Sequence, residues 1–146
     1  MQKTLGFFTT ILYKDFTSFC NEKLQEIGLS RGLLYFIIYI GKHPKCSPGK
    51  LSSQMKFDTG HTTRAIEKLV QNDFVLREKS ESDKRAYILS LTEKGEEALE
   101  LIYSLFSQWD EKVFYDIDED ERKQIISLME KLIEKKGELF CVRNDK

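Results

Sequence analysis

Between Thr59 and Lys68 the chain carries Thr59, His61, Thr63, Arg64 and Lys68 at spacings that a helix would turn outward. Hydroxyl groups suit phosphate oxygens and base edges, and a guanidinium suits guanine or phosphate. Lys68 lies further along the same side, placed to reach phosphate. Ile66, Leu69 and Val70 fall on the opposite face, and Thr62, one turn before Ile66, is expected to point inward with them. A second charged group, Asp83, Lys84 and Arg85, closes the polar stretch Ser80-Glu81-Ser82-Asp83-Lys84-Arg85, which has the length of a hairpin loop. Taken alone these are ordinary solvated charges, because exposed ion pairs contribute little.

Other chemistries find no support. There is no glycine-rich phosphate loop, no Ser-His-Asp context and no His-Glu motif, so an enzyme is not expected. The three cysteines, Cys20, Cys46 and Cys141, show no paired spacing, and only His43 and His61 could join them. A disulfide framework, a structural zinc and a cofactor are therefore not expected. Net charge is −1 over 146 residues, but it is unevenly spread. Residues 1–44 hold five Lys or Arg against three Asp or Glu, residues 45–90 nine against six, and residues 91–146 nine against fifteen. A polyanion needs positive charge only on the face it meets, so a basic middle and an acidic end are compatible with nucleic acid. The longest apolar run, Leu33 to Ile40, is too short to span a membrane, and no signal peptide is visible. A cytoplasmic protein with no membrane partner is expected.

The elements that must position these groups read as mostly helical. Leu5, Phe8, Leu12, Phe16, Phe19 and Leu24 recur at helical intervals, and Gly28 ends that segment. Ser30 is expected to cap a second helix through Leu34, Ile37 and Ile38 to Gly41, stopped by Pro44. Ser47-Pro48 opens a short third helix containing Leu51 and Met55. Asp58 or Thr59 caps a fourth, running to about Gln71, where Asn72-Asp73 breaks it. Strands are expected over Phe74 to Lys79 and Ala86 to Leu91. Thr92 caps a long fifth helix through Ala98, Ile102, Leu105, Phe106, Trp109 and Val113. The acidic run Asp116 to Glu121 opens a sixth, because negative charge is favourable at a helix N-terminus.

This order predicts a mainly α fold with a small β-hairpin wing, that is, a winged helix-turn-helix core flanked by N- and C-terminal helices. The expected organisation is an N-terminal dimerisation helix over 1–28, the winged helix-turn-helix over 29–92, and a long linking helix with a C-terminal dimerisation helix over 93–146. In a helix-turn-helix the second helix lies in the major groove, with its N-terminal residues at the base edges. The region from Leu51 to Leu91 resembles the winged helix of the MarR family of transcriptional regulators. The likeness rests on Asp83-Lys84-Arg85 followed after five residues by Leu91-Thr92-Glu93-Lys94-Gly95, and on Thr63-Arg64 with Leu69 in the fourth helix. The outer helices also match the family plan, so the resemblance covers nearly the whole chain. Two positions depart from it: Asp73 stands where glycine is usual, and Thr62 where an apolar residue is usual.

The resemblance implies a homodimer on a pseudo-palindromic double-stranded operator, most commonly a repressor released by a small molecule. It implies that Arg85 meets DNA, the narrow minor groove being the most negative. Asp83 is then expected to hold the Arg85 guanidinium. Thr59, His61, Thr63, Arg64 and Lys68, with Asp83, Lys84 and Arg85, form the expected DNA-binding set. Many members bind an aromatic acid or another hydrophobic effector between the outer helices and the winged helix, where this chain has Tyr13, Phe16, Tyr35, Phe36 and Tyr39. Those rings equally fit a packed core. Another branch senses peroxides through a cysteine in the first helix, which would be Cys20, although a free cysteine is more often simply buried. The competing functional class is a winged helix that binds only protein; the basic polar face of Arg64, Lys68, Lys84 and Arg85 argues against it.

Overall fold

The computed structural model describes residues 3–30, 32–56, 58–83 and 85–134. Lys84, Cys141 and the end of the chain from 135 onward lie outside the described residues. Among the described residues, six helices and one hairpin follow in the order α1 (Leu5–Glu26), α2 (Leu34–Lys42), α3 (Pro48–Met55), α4 (Thr59–Gln71), β1 (Val75–Lys79), β2 (Tyr87–Leu91), α5 (Glu93–Val113) and α6 (Glu119–Glu134).

Short polar side chains set most helix starts, as expected of donors that have no intrahelical partner. Thr4 accepts the Phe7 N–H, Ser47 the Lys50 N–H, Asp58 the His61 N–H and Thr92 the Gly95 N–H. Asp58, with its oxygen 2.7 Å from the His61 nitrogen, is the cap of α4, and Thr59 is the first helical residue. Asp118 caps α6 in the same way, with Glu119, Asp120 and Glu121 in its first turn. Ser30 does not cap α2. Its carbonyl accepts the Leu33 N–H at 3.0 Å, closing a separate turn, and the helix starts only after Leu33, without a side-chain cap. Burial of Leu29 and Leu33 accounts for that extra turn, since it lets both side chains reach the core.

α2 is apolar all round and lies at the centre, with every side chain from Phe36 to Ile40 buried. Cys20 and Leu24 of α1, Leu51 and Met55 of α3, Ile66 and Leu69 of α4, Leu89 of β2, and Ala98, Ile102 and Leu105 of α5 belong to the same core. The hairpin pairs Val75 with Leu91, Arg77 with Leu89 and Lys79 with Tyr87. Cys46 extends this sheet by one bridge, its carbonyl accepting the Leu89 N–H at 2.8 Å. Phe74 and Ala86, expected at the strand starts, lie just outside the ladder.

α1 meets α5 through a mixed cluster. The Trp109 indole N–H donates to Asp15 at 2.9 Å, Lys112 pairs with the same carboxylate at 3.3 Å, and Phe16 lies 5.3 Å from both the Phe106 and Trp109 rings. The Trp109 hydrogen bond, then Lys112, holds the Asp15 carboxyl below its usual range. Arg122 braces the α5–α6 corner, 3.0 Å from Glu111 and stacked 5.2 Å over Phe114. Among the described residues no helix is long and apolar enough to cross a membrane.

Candidate nucleic-acid interface

α3 and α4 form the helix-turn-helix. The turn between them needs a left-handed residue, and Lys56 takes it with φ 55°. α4 is then divided cleanly. Thr62, Ala65, Ile66 and Leu69 are buried, while Thr59, Gly60, His61, Thr63, Arg64 and Lys68 are exposed together on the other side. The expected α4 residues therefore share one solvent face. Glu67 is exposed as well and takes positive charge off that helix.

Local geometry specifies what each residue offers. The Arg64 guanidinium lies back over Gly60, where a β-carbon would come within 3.3 Å of it, and its charge lowers the Asp58 carboxyl, as does the larger effect of the His61 N–H bond. Arg64 is thus held near the start of α4, the end that reads bases in a helix-turn-helix. The Thr63 hydroxyl donates to the Thr59 carbonyl at 2.9 Å. As it stands Thr63 offers acceptor lone pairs, and donating to phosphate requires its hydroxyl to swing away from that carbonyl. The His61 ring is 6.0 Å from Phe36.

The wing tip corrects one expectation. Asp83 binds the Arg85 backbone N–H, at 3.0 Å, instead of its guanidinium. An aspartate two residues before an N–H closes an Asx turn, which fixes the tip through the backbone and frees the arginine side chain to point outward. Ser80 N–H to Ala86 carbonyl at 2.9 Å and Ala86 N–H to Asp83 carbonyl at 3.0 Å complete the tip. Arg85 is exposed; Lys84 is outside the described residues. On the strands, Arg77 lies 5.3 Å over the Tyr87 ring, a basic side chain on the wing that sequence reasoning passed over. Arg77 pairs with Leu89, two pairs from Lys79–Tyr87, and so lies diagonally across from Tyr87 on the same face of the hairpin.

The aromatic candidates occupy different settings. Tyr13 is exposed, Phe16 packs against Phe106 and Trp109, Tyr35 is half-buried, and Tyr39 is buried with His43 4.4 Å away. Cys20 is only 2% exposed, and burial raises its thiol pKa. Both features oppose the thiolate that a sensor needs. Cys46 is likewise buried, its pKa pushed up to about 11.

Thr62 supplies a testable detail. It is 2% exposed, lines the cleft between α3 and α4 with Ser52, Thr59 and Thr63, and its hydroxyl has no protein partner. A buried hydroxyl without a hydrogen bond is costly, and valine has nearly the same shape. Thr62→Val is expected to raise the unfolding free energy by about 1 kcal/mol, read as a higher urea midpoint at unchanged slope. A loss of the same size would mean that the hydroxyl is satisfied and the explanation is wrong.

A two-helix reading unit with an arginine-tipped hairpin, set between two outer helices, defines a winged-helix DNA-binding protein. The MarR family sequence model matches residues 34–87. The HTH-type transcriptional regulator BilQ of Clostridium symbiosum is 46% identical over 143 residues, covering 98% of this chain and 99% of that protein. BilQ of Clostridioides difficile is 33% identical, covering 85% and 84%. Among solved structures, a MarR crystal structure superposes with a TM-score of 0.84 at 26% identity, covering 92% and 93%. A MarR regulator from Methanosarcina mazei gives 0.82 at 29%, covering 92% and 96%. The chain belongs to the MarR family of helix-turn-helix transcriptional regulators, which are DNA-binding proteins and not enzymes.

Proposed function

We propose that the protein is a sequence-specific repressor that binds a pseudo-palindromic operator as a homodimer. In this reading α4 enters the major groove and the wing tip reaches the adjacent minor groove. The observation that carries it is the joint exposure of Thr59, His61, Thr63, Arg64 and Lys68 on one side of α4, with the Arg85 side chain left free by the Asp83 turn. Arg64 reads a base edge or phosphate near the helix start, Lys68 and Lys84 neutralise phosphate, and Arg85 enters the minor groove. Asp83 acts by shaping the tip. Two half-sites about 34–36 Å apart match a symmetric dimer.

Apolar surface that one chain leaves uncovered supports the dimer. Leu5, Phe8, Ile11 and Leu12 of α1 and Ile125, Leu128, Met129 and Leu132 of α6 are all exposed, and no residue of α6 is buried. Patches of this extent on a protein surface mark interfaces. A second copy is the occupant, because intertwining the outer helices of two chains covers both faces at once. A small aromatic or hydrophobic effector would act where α1 meets α5, beside Phe16 and Tyr13, or near Tyr35 and Tyr39, by shifting one helix against the other.

The test is binding to the DNA upstream of the protein's own gene across a salt series. Wild type is expected to saturate and to weaken steeply with salt; Arg64→Ala and Arg85→Ala should each lose about tenfold in affinity. Mutants that bind like wild type would remove the side-chain assignment. No binding at low salt, to that DNA or to random duplex, would favour a protein-binding winged helix.

A further inference from the structure

We propose that Lys94 is a positioning residue for DNA recognition: it clamps the C-terminal end of α4 to the start of α5 and so fixes the tilt of the reading helix. The inference rests on the DNA-binding reading above.

The last carbonyls of a helix lack intrahelical partners and carry the negative end of its dipole. Past Gln71 the next three carbonyls in the chain are all taken by the N-cap and first turn of α5. The Lys94 ammonium donates to the Asn72 carbonyl at 2.7 Å, the Thr92 hydroxyl donates to the Asp73 carbonyl, and the Thr92 N–H donates to the Phe74 carbonyl at 3.1 Å. The same ammonium sits 4.4 Å over the ring of Phe74, which is buried in the core. Asp73, left-handed at φ 63°, presents these carbonyls in sequence. Thr92 belongs to the Leu-Thr-x-x-Gly pattern of the family, but Lys94 occupies a position that pattern leaves open.

The geometry separates this role from direct contact. Bases are read near Thr59, and Asn72 lies thirteen residues on, about 20 Å along the helix axis. Lys94 therefore acts through α4. α5 in turn is bound to α1 by the Trp109–Asp15 hydrogen bond and the Phe16–Phe106 contact, so the clamp ties the reading helix to the element that joins it to the outer helices. A helix held at one angle fits one half-site spacing; a loosened one accepts neighbouring spacings and binds each less tightly.

The experiment uses the full chain and a 30-base-pair duplex (about three helical turns) carrying the site footprinted upstream of its own gene. Two more duplexes have one base pair inserted or removed at the site's centre. Lys94→Met keeps an unbranched side chain of similar length and removes the ammonium; Lys94→Arg keeps a cationic donor. For Lys94→Met we expect about fivefold weaker binding to the native spacing. Its loss on the two altered spacings should be smaller, with an unchanged salt slope and faster amide exchange confined to Val70–Phe74. Lys94→Arg should bind within about twofold of wild type. Equal weakening on all three duplexes with the salt slope reduced by about one would overturn the proposal in favour of a phosphate contact. Binding and exchange indistinguishable from wild type would overturn it outright. Failure of the wild type to bind any duplex overturns the DNA-binding reading itself, and this one with it.

Discussion

Gly95→Ala is expected to lower the unfolding free energy by about 3 kcal/mol, with a fall in melting temperature of roughly 10 °C. Gly95 lies in the first turn of α5, where alanine would ordinarily gain about 1 kcal/mol through helix propensity. Its surroundings reverse that sign. A β-carbon there would lie 2.1 Å from the Phe74 carbonyl oxygen and 3.1 Å from the Leu91 β-carbon. The first neighbour is backbone, already bonded to the Thr92 N–H, so it cannot turn aside as a flexible side chain would. Relief requires moving α5 away from the end of α4, which breaks the Thr92 hydrogen bonds to the Asp73 and Phe74 carbonyls and opens the packing of Phe74 and Leu89. Gly41 offers an internal comparison. A β-carbon there meets Leu99 side-chain atoms at 2.6 Å, which can rotate, so Gly41→Ala should cost clearly less. Urea unfolding of both variants decides the point; a neutral Gly95→Ala would mean that α5 does not start against Phe74.

If the chain is the proposed homodimer, the double substitution Leu128→Glu and Leu132→Glu is expected to leave it monomeric at micromolar concentration, read by sedimentation. Operator affinity should fall by a hundredfold or more. Leu128 is 59% exposed and Leu132 43% exposed in one chain, one turn apart on a helix with no buried residue. If a second copy covers them, each contributes about 2 kcal/mol of burial, and each glutamate also brings a charge that the interface must desolvate. A monomer engages one half-site at a time and loses the effective concentration that the first half-site provides for the second. Because neither leucine lies in the single-chain core, the monomers should keep their helical circular dichroism. Variants that remain dimeric would place the interface elsewhere on the chain.

Much of this fold is legible in the residues alone. The alternation of Ile66, Leu69 and Val70 with His61, Arg64 and Lys68 is a local property, and helical periodicity alone separates inner from outer side chains. The same periodicity places Thr62 inward, and it is buried. Caps were legible where a short polar side chain stood alone before an apolar pattern, as at Ser47 and Thr92. They are not legible at Ser30, where the decisive force is burial of Leu29 and Leu33 against residues distant in sequence. The Asp83–Arg85 pair was seen, but its mode was not, because both readings use the same two residue types two positions apart.

The sequence by itself determined the order of elements, the polar side of α4, the hairpin with its charged tip and the left-handed break at Asp73, because each depends on residues within a few positions of one another. Only the tertiary structure decided the contacts between residues far apart in the chain. It placed Lys94 and Thr92 on the carbonyls of Asn72, Asp73 and Phe74, set Gly95 against Phe74, linked Trp109 to Asp15, and put Cys20 beyond the reach of solvent. Such contacts depend on how whole helices pack, and packing is a property of the complete core that no local window of residues contains.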